Sequence, residues 1–182
     1  MVEKIGRRTA FRLYPSLPTG NWRTQVYSYP PVFETYILTA FNSTKRNHLK
    51  QVIYGLSVLL EKLEIKELVF IGDASTAWLF RDIADKNIQT ARSYLIAKGI
   101  NETYTGGFKV SVGDLSVFMY HTFWLTRLNA ISFDLHFVDV DQTIVCHPCK
   151  EWNLHFSTRT SDMDRNFKRK LSSSGLSVID RC

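Results

Sequence analysis

The chain has 182 residues, 45% of them apolar and 13% aromatic, and a formal net charge of +6. That size suits a single domain, residues 1–182, with a substantial core, and the composition excludes wholesale disorder. No apolar run reaches the roughly 18–20 residues that cross a bilayer, the basic stretch Met1–Arg12 lacks the apolar core of a secretory signal, and three cysteines do not make a secreted disulfide framework, so a cytoplasmic location is expected.

Thr9–Tyr14 reads as a short strand. Pro15, Pro18 and Gly20 then break the chain before a second candidate, Thr24–Tyr29, and Pro30 and Pro31 break it again. Val32–Phe41, rich in β-branched and aromatic residues, predicts a third strand. A helix capped by Asn42 or Ser43 follows, because Leu49, Val52, Ile53, Leu56, Leu59, Leu60 and Leu63 recur at three- and four-residue spacing and so share one face.

Glu67–Ile71 is a short apolar run closed by Gly72, the pattern of a buried strand. Ala74–Ala84 and Ile88–Lys98 read as helices, the second ended by Gly99. Gly106 and Gly107 precede a strand at Phe108–Val112, and Asp114 is placed to cap a helix that runs to about Leu128. Phe133–Val138, Thr143–Cys146 and Trp152–Phe156 are short strands between turn-forming residues, which predicts an antiparallel meander. A polar, basic helix over Asp162–Leu171 and a short apolar end complete the chain. Strands early, helices in the middle and strands late imply an α+β fold, with a mixed or antiparallel sheet packed by the central helices. The basic segment 159–182 is expected to be the mobile part.

Several patterns carry possible chemistry. Phe137-Val-Asp-Val-Asp-Gln-Thr-Ile-Val145 resembles the first motif of haloacid-dehalogenase-like phosphatases, and Val69-Phe-Ile-Gly-Asp73 resembles their later metal-binding strand. The resemblance implies Asp139 as nucleophile, Asp141 as general acid and a Mg²⁺ ion between them. The same letters fit a hairpin turn over Asp139–Gln142, since Asp and Gln suit exposed turns.

Cys146-His147-Pro148-Cys149 has the spacing of a thioredoxin-type redox pair. That chemistry needs a helix to follow, and a strand is expected instead. A zinc site built on Cys146 and Cys149, with His155, His136 or His147 adding ligands, is the second reading, and a proline turn holding two reduced thiols is the simplest. No cofactor and no catalytic residue is therefore assigned. Arg165, Lys168, Arg169 and Lys170, with Phe167 to stack on a base, suit a nucleic-acid-binding domain, although no recognised reading module accompanies them.

Phe70-Ile-Gly-Asp73 with Trp78-Leu79, then Leu125-Thr-Arg-Leu-Asn-Ala130, His136-Phe-Val-Asp139 and Asn153-Leu-His-Phe156, together resemble small bacterial immunity proteins paired with contact-dependent or polymorphic toxins. The resemblance implies a non-enzymatic protein-binding module that covers a cognate toxin's active site. Interface anchors are often Trp, Tyr and Arg, so the expected contact residues are Trp78, Arg127 and Trp152, with Asp73, Asn129, His136 and His155 as polar neighbours. The positive net charge points away from a nuclease as the toxin, whose inhibitors are often acidic.

Overall fold

The computed structural model describes residues 1–21, 26–41, 44–72, 76–80, 84–127, 135–149 and 151–182. Its centre is an eight-stranded sheet in which every neighbouring pair is antiparallel. The strands are β1 (Val2–Ile5), β4 (Glu34–Thr39), β5 (Glu67–Ile71), β6 (Gly107–Ser111), β7 (His136–Asp139), β8 (Ile144–Pro148), β9 (Leu154–Thr158) and β10 (Ser177–Ile179). They lie in the order β1-β6-β5-β7-β8-β9-β4-β10, and a separate hairpin pairs β2 (Thr19–Asn21) with β3 (Val26–Ser28). The fold is thus α+β, and β7-β8-β9 form the expected antiparallel meander.

Helices α2 (Lys45–Lys62), α3 (Lys86–Ala97), α4 (Val112–Arg127) and α5 (Ser161–Leu171) supply most of the apolar side chains that cover one face. The leucine stripe of α2 turns Leu49, Val52, Leu56, Leu59 and Leu60 inward, where they meet Phe70, Phe108, Phe118, Phe137 and Phe156. Thr44 caps this helix, its side chain accepting from Asn47 N–H at 3.2 Å, and the expected caps Asn42 and Ser43 lie outside the described residues. Gly99 has φ of 75° just beyond α3, the left-handed turn that its lack of a Cβ favours. Among the described residues no helix is long and apolar enough to cross a membrane.

A smaller cluster, Ala10, Leu17, Val69, Ile71, Val138 and Val145, lies apart from this helix-side core. It draws the first expected strand, Thr9–Tyr14, into a helix. Arg7–Leu13 is a helix, α1, and not a strand. Ala10 and Tyr14 sit one helical turn apart and both join this cluster, while the Arg7 guanidinium donates to Gly72 O at 3.0 Å and Thr105 O at 3.1 Å. The expected helix over 74–84 is also absent where the chain is described, since residues 76–80 form turns. Trp78 is held there by Nε1–H donating to Gly106 O at 2.7 Å. Finally, α4 begins at Val112, so Asp114 lies inside its first turn and accepts from Ser111 Oγ and the Met1 ammonium.

The basic end is packed. Phe167 of α5 is fully buried against Tyr36 and Phe156, and β10 pairs with β4 in the register Ser177↔Thr39 to Ile179↔Ile37. That pairing carries the last residues to the sheet edge nearest the β8–β9 turn.

Candidate metal centre

Alternation along the meander decides which side chains share a face. Phe137, Cys146 and Phe156 are cross-strand neighbours and all join the helix-side core. His147 and His155 are paired one position further on, so they face the opposite way. His136, at the start of β7, completes a row. The His136 and His147 ring centroids are 5.3 Å apart, and His147 and His155 stack at 4.3 Å with only 11° between their planes. Tyr29 closes one end, its hydroxyl 2.9 Å from His136 Nε2.

Two thiols close the other end. Cys149 sits in the turn after β8, where its N–H donates to Asn153 O and its carbonyl accepts from Trp152 N–H, both at 2.9 Å. Trp152 takes φ of 64° to make that turn. Cys182 Sγ lies 2.8 Å from Cys149 Sγ and 3.3 Å from His155 Nε2. Asn153 Nδ2 stands 4.0 Å from the same sulfur, while its Oδ1 is 3.1 Å from His48 Nε2 and His48 Nδ1 donates to Ala40 O. The donor atoms of Cys149, His155 and Cys182 all lie within 4.8 Å of one another.

The electrostatics suit a cation with soft ligands. Burial pushes the His136 pKa down to about 4. It also pushes His147 down to about 3, helped by the imidazoles on either side, and lowers His155. All three rings are therefore neutral at physiological pH and keep a lone pair for coordination. The Cys182 thiol is pushed up to about 12 by burial and by Cys149 beside it. A divalent cation would supply the charge that lets the Cys182 sulfur bind as a thiolate.

The expected site residues fall into distinct groups. Trp78 and Trp152 are 2% and 1% exposed, packed on Phe108 and Trp124 respectively, so neither ring is available to anchor a partner. His136 and His155 belong to the histidine row. Arg127 ends α4, but its side chain lies outside the described residues, as do Asp73 and Asn129 entirely. Cys146 and Cys149 are not a pair: Cys146 is buried on the helix side, where burial raises its thiol pKa well above the ordinary value, and Cys149 is in the turn on the other. The thiol that meets Cys149 is Cys182, which the spacing of residues could not reveal because β10 delivers it from the far end of the chain.

The other patterns resolve structurally. Asp139 is buried at the base of the β7–β8 hairpin and Asp141 is exposed at its tip, with Gln142 at φ of 57° and its N–H donating to Asp139 O at 2.9 Å. Lys168 pairs with Asp164 at 2.9 Å, Arg165 pairs with Asp162, and the Arg169 guanidinium donates to Asn166 Oδ1 at 2.9 Å. Phe167 lies inside the core and has no face to offer a base. No protein-family model, curated protein or solved structure matches the chain.

Proposed function

We propose that this chain is a metal-binding protein that holds one thiophilic divalent cation, of which zinc is the type, on Cys149, His155 and Cys182. The carrying observation is the convergence of two sulfurs and one imidazole nitrogen within 4.8 Å. Zinc–sulfur and zinc–nitrogen bonds of about 2.3 and 2.0 Å in a tetrahedron separate the donors by about 3.5–3.8 Å. To reach that spacing the two sulfurs, now 2.8 Å apart, would part by about 1 Å, and Cys182 Sγ and His155 Nε2, now 3.3 Å apart, by a few tenths of an ångström. Two thiolates would neutralise the ion's charge, and three protein ligands leave one position for water or an outside ligand.

Metal analysis of the reduced chain after dialysis against zinc is the test. One zinc per chain is expected, lost in Cys149→Ser, Cys182→Ser and His155→Gln and kept in Cys146→Ala. Equal zinc content in all five proteins would sink the reading.

A second reading, the toxin-immunity type of protein-binding module that acts by occlusion, draws support from a different feature. Tyr29, Val32 and Phe33 are 49%, 43% and 54% exposed, in a proline-bearing run whose first residue touches the histidine row. Exposed apolar side chains close in sequence are of the kind that partners cover. If it is the contact surface, co-expression should rescue cells from a toxin encoded beside this gene, and Phe33→Glu should abolish rescue without unfolding the chain. Failure of the unaltered protein to rescue would end this reading.

A further inference from the structure

We infer that Cys149 and Cys182 are also a redox modification site, a reversible disulfide whose formation switches the metal centre off. The inference rests on the metal reading and adds its control.

Three observations carry it. The two sulfurs are 2.8 Å apart, and a disulfide bond is about 2.05 Å long. Both residues lie outside the strands, Cys149 in the β8–β9 turn and Cys182 beyond β10, so the sulfurs can close that gap without breaking a ladder bond. Both are at least partly exposed, whereas the third thiol, Cys146, is buried on the far side of the sheet and cannot compete for either.

The chemistry needs a two-electron oxidant, and a peroxide is the simplest class. One thiolate attacks a peroxide oxygen and breaks the O–O bond, giving a sulfenic acid and, with hydrogen peroxide, water. The neighbouring thiol then attacks that sulfur, forming the S–S bond as the oxygen leaves as a second water. Two electrons pass to the peroxide, and the two thiol protons end in water. The product retains no thiolate, so two of the three metal ligands are lost together. A bound cation would hold both sulfurs as ligands and slow the first attack. An external dithiol returns the pair to the reduced, metal-competent form.

The test treats the whole reduced chain with an equimolar amount of hydrogen peroxide, with and without zinc, and follows it by mass spectrometry of non-reduced peptides and by zinc release. The inference expects loss of two hydrogens within one chain, a peptide joining Cys149 to Cys182, slower reaction with zinc present, zinc release as the disulfide forms, and full reversal by dithiothreitol. Cys146→Ala should behave like the unaltered chain. A reduced chain that takes up zinc but yields no such peptide, or keeps its zinc after the disulfide has formed, overturns the inference and leaves the metal reading standing. A reduced chain that takes up no zinc overturns the metal reading itself, and the control with it.

Discussion

Thr143 is tied twice to Asp139, its backbone N–H donating to Oδ1 at 2.6 Å and its hydroxyl to Oδ2 at 2.8 Å. Ile144 N–H adds a third bond, to Oδ1 at 2.9 Å. The carboxylate therefore acts as the clasp of the β7–β8 hairpin. Burial nevertheless outweighs these donors and raises its pKa.

Asp139→Ala is expected to lower stability by about 2–4 kcal/mol, because it strands the backbone N–H groups that the carboxylate satisfies. Asp139→Asn is expected to stay within about 1 kcal/mol of the unaltered protein, since its oxygen still accepts both and its NH₂ can donate to the Thr143 hydroxyl. Urea unfolding of the two variants measures the difference. Equal losses in both would deny the clasp role.

His136 makes the fold acid-sensitive in a defined window. Its pKa is about 4 in the folded chain against 6.5 for an ordinary histidine. Between those values the unfolded chain binds a proton that the folded chain refuses. Stability from this residue is complete above about pH 6.5 and drains as the pH falls toward 4, by roughly 3 kcal/mol at most. Unfolding free energies at a series of pH values should show that slope, and His136→Gln should make it shallower, leaving the part that His147 and His155 contribute.

Trp78 is a core residue with a polar tether. Trp78→Phe should cost about 1–3 kcal/mol through the stranded Gly106 carbonyl, and Trp78→Ala about 3–5 kcal/mol through the cavity. If either change instead leaves thermal unfolding untouched, the indole is not holding the 76–80 turn against β6.

At Gly107 the constraint is space. A Cβ there would stand 2.5 Å from Phe70 O, a backbone atom fixed by the β5–β6 ladder, and 3.1 Å from Ile5 Cγ2. Gly107→Ala is expected to destabilise by about 1–3 kcal/mol, the usual range for forced overpacking. Denaturant midpoints of Gly107→Ala and Gly113→Ala make the comparison, because nothing lies within 4 Å of a Cβ at Gly113.

Zinc should stabilise the folded chain. At a free concentration a hundredfold above the dissociation constant, one bound ion adds about 2.7 kcal/mol. For a chain of this size that raises the melting temperature by roughly 5–10 °C. A chelator should reverse the shift, and Cys182→Ser should abolish it. A shift that survives in Cys182→Ser would place the ion elsewhere.

Local patterns were legible where neighbours in sequence are also neighbours in space. Glu67–Ile71, the leucine stripe of α2, the Gly99 stop and the Asp139–Gln142 turn all obey rules that act over a few residues. Thr9–Tyr14 reads as a strand although Arg7–Leu13 is a helix, because a seven-residue helix is too short to show its period and because Thr9, Phe11 and Tyr14 favour strands. Of the proposed metal site, the residue spacing offers only Cys146 with Cys149 and any of His136, His147 or His155, and strand alternation sends Cys146 into the core. Cys182 depends on the pairing of β4 with β10, a contact between the two ends of the sequence that no local pattern encodes.

That same pairing sets the order in which the molecule can be made. β4 lies between β9 and β10, with Tyr36 opposite Phe156 and Ile37 opposite both His155 and Ile179. On the ribosome it emerges long before either neighbour. While β1, β5 and β6 can already join, Tyr36, Ile37 and Leu38 have neither partner strand until β9 is translated. The nascent chain thus carries an open edge over that interval, in which chaperone capture or aggregation competes with folding.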